Sequence, residues 1–158
     1  MTKSLILGLG NPILTDDAAG LEVARRVHSL LGREEIDLRE AATGGLQTVQ
    51  LLIGYDRAVI IDVIPDREHA GRVYRLSPQE LGDPSSQVTH GIGLGQAIQW
   101  GRKIGLDLPR TVIIYAIAVN DPWTFGEELT PEMEKALPDI VREIGEEVAA
   151  LWAEETGA

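Results

Sequence analysis

The sequence predicts a three-layer αβα fold around a doubly wound, mostly parallel sheet of about five strands. Three observations carry that expectation. Apolar runs such as "RAVIIDVI" (57–64) and "TVIIYAIAV" (111–119) are rich in β-branched residues and lack polar alternation, as strands covered on both faces require. Between such runs lie stretches whose apolar residues recur at helical spacing. The two kinds of segment alternate in the order βαβαββαβα. With 158 residues and no repeat, linker or low-complexity stretch, the chain reads as one domain over 1–158.

Each element has a local signal. "SLILGL" (4–9) is a short buried strand running into a glycine turn. Leu21, Ala24, Val27 and Leu31 place a helix from about Asp17 to Leu31, with Gly32 as its C-cap. "IDLREAA" (36–42) alternates and reads as the second strand. Leu46, Val49, Leu52 and Ile53 give a short helix after Gly44-Gly45. Residues 57–64 form the central strand, "PDREHAG" turns the chain, and "RVYRLS" (72–77) is an antiparallel edge strand. Residues 91–104 are helical, although Gly91, Gly93 and Gly95 weaken the start. Residues 111–119 are the last buried strand. Thr130 as N-cap and Pro131 in the first turn open a final helix to about Trp152, which Pro138 kinks or splits.

Composition narrows the function. There is no cysteine, which excludes disulfides, thiolate metal sites and a Cys nucleophile. Acidic residues outnumber basic ones 25 to 14, a net charge of −11 that disfavours nucleic acid and anionic membrane as partners. The amino-terminal apolar run has neither the length nor the flanks of a signal peptide, and no stretch is long enough to span a membrane. A soluble, cytoplasmic, monomeric protein is the expectation.

The first turn, "ILGLGNPILTDDAAG" (6–20), looks at first like a phosphate cradle. Gly8 and Gly10 fit a dinucleotide fingerprint, but its third glycine is replaced by Ile13. Asp16 and Asp17 stand where a pyrophosphate would rest, an electrostatic conflict. A nucleotide-binding domain is therefore the weaker alternative. One of the two aspartates can cap the helix; the other is left over and points to a cation. Asp62 is set among apolar residues, where a carboxylate is costly without a partner. At the carboxyl end of a central strand it would face the crevice where open α/β sheets bind ligands, an edge Asp17 also reaches. Of three histidines, His28 and His69 read as solvated, whereas His90 opens a helix after a polar loop. Asp17, Asp62 and His90 together suit a borderline divalent ion such as Zn²⁺ or Ni²⁺. No G-x-S-x-G elbow and no H-E-x-x-H helix competes with that set.

These residues resemble, over nearly the whole chain, the hydrogenase maturation endopeptidases. The family opens with a strand, G-x-G-N and D-(D/E)-x-x-G, matched by Gly8, Gly10, Asn11, Asp16, Asp17 and Gly20. An acid ending an apolar strand is matched by Asp62, and a histidine between a polar loop and a helix by His90. A late G-x-x-L-(S/T) is matched by Gly126, Leu129 and Thr130. The chain departs from the family in having Asp17 where Glu is frequent, and "EAATGG" (40–45) where D-G-G-T-x-G is frequent. The resemblance implies an endopeptidase that removes the C-terminal extension of a nickel–iron hydrogenase large-subunit precursor after nickel insertion. The substrate supplies the nickel and the enzyme holds no tightly bound metal of its own; Asp17, Asp62 and His90 are the implied metal-contacting and catalytic residues. A non-catalytic metal-binding maturation chaperone would use the same three residues.

Overall fold

A computed structural model of the chain describes residues 2–42, 45–81 and 93–156. Among the described residues five strands form one sheet: β1 (Ser4–Leu9), β2 (Ile36–Ala41), β3 (Arg57–Pro65), β4 (Val73–Leu76) and β5 (Thr111–Val119). Their order is β2-β1-β3-β5-β4, parallel except for the β4–β5 pair, with β4 at an edge as expected. Successive strands depart from β1 in opposite directions, β2 to one side and β3 to the other. That reversal places a switch point beyond the carboxyl ends of β1 and β3.

The helices are α1 (Ala19–Leu31), α2 (Leu46–Leu52), α3 (Pro78–Leu81), α4 (Leu94–Lys103) and α5 (Pro131–Thr156). Strand alternation divides the core into two layers. Ile6, Val59, Ile61 and Ile113 pack with α1 and α5 on one face. Leu5, Leu7, Ala58, Ile60 and Ile114 pack with α2 and α4 on the other. Among the described residues no helix is long and apolar enough to cross a membrane.

The expected elements appear, with three corrections. The first helix starts later than its apolar spacing suggests, because Thr15–Ala18 form a 3₁₀ turn before it. The final helix runs unbroken through Pro138. A helix-interior proline costs about 3 kcal/mol, but Met133, Leu137, Ile140, Ile144, Val148 and Trp152 bury one stripe against the sheet. Burial is worth about 1.5–3 kcal/mol per side chain of this kind, so packing outweighs the defect. His28, read as solvated, is half-buried, and its Nε2 lies 2.7 Å from the Ile36 carbonyl oxygen.

At the amino edge of the sheet, Arg57 is buried with its guanidinium 4.5 Å from the centre of the Trp152 ring. Its Nε donates to Ser4 Oγ and its Nη1 to the Trp152 carbonyl, which ties α5 to β1 and β3. Chemistry-bearing residues collect at the opposite, carboxyl edge.

Candidate active site

The glycine motif explains how α1 meets the sheet. A Cβ at Gly10 would overlap the Asp17 carbonyl oxygen. One at Gly20 would stand 2.5 Å from the Leu9 carbonyl oxygen and 3.5 Å from the Asp62 Cα. At Gly8 it would press to 2.8 Å from the Ala24 Cβ. The glycines thus serve backbone-to-backbone contact between the start of α1 and the ends of β1 and β3, with no phosphate required.

That contact positions Asp17. Its Oδ2 accepts the Asn11 N–H at 2.8 Å, while the Asn11 side chain accepts the Ile13 N–H at 3.1 Å, an Asx turn that shapes the loop. Asp17 is 2 % exposed. Asp62 is 1 % exposed, and its Oδ1 accepts the Val63 N–H at 2.8 Å. Gly8 pairs with Ile61, so Asp62 begins the part of β3 that reaches past the β1–β3 ladder. It sits three residues short of the end of β3 and level with the end of β1. By alternation it shares the α2–α4 face with Ala58 and Ile60. The structure thus puts two nearly fully buried carboxylates at the carboxyl edge, Asp17 just beyond β1 and Asp62 on the neighbouring β3.

His90 falls in 82–92, outside the described residues, as do Thr43 and Gly44 of the second loop. Among the described residues no group of three or more His, Asp or Glu side chains is arranged to hold a metal ion.

Asp16 has a different role from the one its position suggests. The N-cap position of α1 is taken by Ala18, which has no side-chain cap to offer, so neither aspartate stands at the N-cap itself. Fully buried Asp16 instead accepts the backbone N–H groups of Asp121 and Thr130, both at 2.8 Å, and the Thr130 hydroxyl. Thr130 stands at the expected N-cap position, its carbonyl accepting the Glu134 N–H at 2.9 Å, and its hydroxyl also donates to Asp16. The Asp16 N–H donates in turn to the Asp121 carbonyl at 2.9 Å. Farther along, Thr15 N–H donates to the Gly126 carbonyl and Gly126 N–H to the Ile13 carbonyl, and the Thr15 hydroxyl bonds the Thr124 carbonyl. The β1–α1 and β5–α5 loops are stitched into one unit. Asp121 stiffens it: the Thr124 hydroxyl and the N–H groups of Thr124 and Trp123 hold its carboxyl below the usual range. Sequence reasoning found both motifs but not that each exists to bind the other.

Replacing Asp16 with Ala leaves the Asp121 and Thr130 N–H groups without their acceptor. Each orphaned buried donor costs about 1–3 kcal/mol, so urea unfolding should show a loss of about 3 kcal/mol, with a smaller loss for Asp16→Asn.

Residues 21–147 match the sequence model of the hydrogenase maturation protease family, HycI. The fold is similar to the hydrogenase maturating endopeptidase HybD from E. coli, with TM-score 0.73 at 23% identity over 99% of this chain and 94% of that one. It is also similar to the nickel–iron hydrogenase maturation protease HybD from Thermococcus kodakarensis, with TM-score 0.71 at 27% identity over 94% and 99%. The HycI protease from Thermococcus kodakarensis KOD1 gives TM-score 0.68 at 21% identity over 92% and 91%. No curated protein matches the chain.

Proposed function

The chain belongs to the hydrogenase maturation protease family, and from that premise we propose that it trims, in the cytoplasm, the C-terminal extension of a nickel–iron hydrogenase large-subunit precursor once nickel is in place. In this reading Asp17, Asp62 and His90 contact the substrate-bound nickel. The observation that carries the reading is the pair of buried carboxylates, Asp17 and Asp62, at the sheet's switch point. Two anionic oxygen donors in a desolvated setting suit a divalent cation and repel a phosphate.

The route of the chain supports a place for His90. Residues 104–110 join the end of α4 to the start of β5, so α4 runs against the strands and begins toward the carboxyl edge. His90 stands three residues before Gly93, the N-cap of that helix, and α4 covers the face that Asp62 shares. An imidazole there would add the nitrogen donor that favours Ni²⁺ over Mg²⁺ or Ca²⁺.

The roles follow from chemistry. The nickel, part of the substrate, would serve as the recognition element and could supply a Lewis acid. Asp17 is fixed by the Asn11 N–H and orients the incoming precursor. Asp62, on the rigid strand, supplies a second fixed carboxylate, able to hold the metal or to take a proton from water. With three ligands at most and no thiolate, the site holds metal weakly until the precursor contributes ligands of its own.

The Asp17 series tests the reading. Asp17→Asn removes charge but keeps shape, and cleavage of nickel-loaded precursor, followed by gel mobility, should fall at least about 100-fold. Asp17→Glu restores the carboxylate one methylene farther out and should keep part of the activity. Wild-type cleavage by a folded Asp17→Asn protein would remove Asp17 from the site.

A further inference from the structure

The stitched loops carry a feature that the two carboxylates do not use. Phe125, the chain's single Phe, is 81 % exposed, Trp123 is 65 % exposed, and Ile13 across the loop pairing is 47 % exposed. Large apolar side chains on a mobile loop mean little, but these sit on backbone fixed by the Thr15–Gly126, Gly126–Ile13 and Asp121–Trp123 hydrogen bonds. A rigid support lowers the entropy cost of binding through them.

Beside them lies a groove of about 460 Å³ between the start of α1 and the same loop. Glu22, Glu127, Glu128 and Glu134 line it together with Pro12 and Leu129. Its one basic lining residue, Arg25, already pairs with Glu40 at 2.5 Å and Glu22 at 3.5 Å. Glu127 and Glu128 follow the aromatic tip after the single residue Gly126. Exposed Trp and Phe faces attract Lys and Arg, and so do the glutamates, so two independent features select the same partner chemistry. A second copy of this chain, at net −11, would meet like charge there.

We propose that this face docks a segment of the hydrogenase large-subunit precursor in which bulky apolar side chains neighbour Lys or Arg. The proposal rests on the protease reading and adds to it the surface that holds the substrate. The Ile13 loop leads directly into Asp17, so the tip and one of the two carboxylates belong to the same hydrogen-bonded loop.

The test is the affinity of nickel-loaded precursor, measured in the cold where turnover is slow, for three proteins. These are the wild type, Trp123→Ala with Phe125→Ala, and Glu127→Gln with Glu128→Gln. The replaced side chains lie on the surface, so all three should melt together. The aromatic pair should bind at least tenfold more weakly. The glutamine pair should bind more weakly, with a shallower dependence on salt. Wild-type affinity in the aromatic variant, an unchanged salt slope in the glutamine variant, or no binding by the wild type would each overturn the docking face. Binding with these losses but no cleavage by the wild type would uphold the face and overturn the protease reading instead.

Discussion

Asp62→Asn should abolish cleavage of the nickel-loaded precursor and leave the fold standing. Asn has the size and shape of Asp, and its Oδ1 can still accept the Val63 N–H. What it loses is charge. A neutral amide is a poor ligand for a divalent cation and cannot act as a base. Placed on the rigid β3, among buried neighbours, the side chain has no room to offer a substitute group. The expected loss of rate is at least about 100-fold, the lower range for a positioned carboxylate in acid–base work. The melting temperature should stay within a few degrees of the wild type, and circular dichroism should be unchanged. Normal cleavage by the folded variant would take Asp62 out of the mechanism.

Gly10→Ala should have the largest structural effect of any single methyl group in the loop. The new Cβ would overlap the Asp17 carbonyl oxygen, and both sides of that clash are backbone. The Asp17 N–H is bonded to the Leu14 carbonyl and its Oδ2 to the Asn11 N–H, so the turn cannot yield locally. Relief requires α1 to lift from β1, and Asp17 leaves the edge with it. A stability loss of about 3 kcal/mol is expected, together with loss of cleavage. Gly145→Ala is the contrast. Its Cβ would meet only the end of the exposed Leu30 side chain, at 2.6 Å, and that side chain can swing away. Ala favours the helix interior by about 1 kcal/mol over Gly, so this variant should be neutral or more stable. Urea unfolding of both proteins checks the pair; equal stability would mean that the glycine motif has no packing role.

The strands were legible because their signal is local. A run such as "TVIIYAIAV" admits little else, and β5 spans those nine residues. The antiparallel edge strand was legible as a short segment, less apolar than the central strands, following a turn. The four residues of α3 were not, because one turn carries no periodicity. The bond between Asp16 and Thr130 was not legible, for a physical reason. Asp or Thr before a helix is the same local pattern whether the side chain caps that helix or reaches another loop. Here the partners lie 105 and 114 residues away, and no spacing rule encodes such a pair. The same holds for Arg57 and Trp152, 95 residues apart. The special standing of Asp17 and Asp62 was legible because a carboxylate among apolar or glycine neighbours contradicts its local setting. Their common carboxyl edge followed from reading both strands as parallel; what the strand order adds is that β1 and β3 are direct neighbours.

The decisive measurement is the mass of the large subunit after incubation with chelator-treated enzyme, for nickel-loaded and nickel-free precursor side by side. The account predicts a product shortened by its C-terminal extension from the loaded precursor and an unchanged mass from the nickel-free one. Efficient cleavage of the nickel-free precursor would show that Asp17, Asp62 and His90 do not read a metal, and would contradict the account.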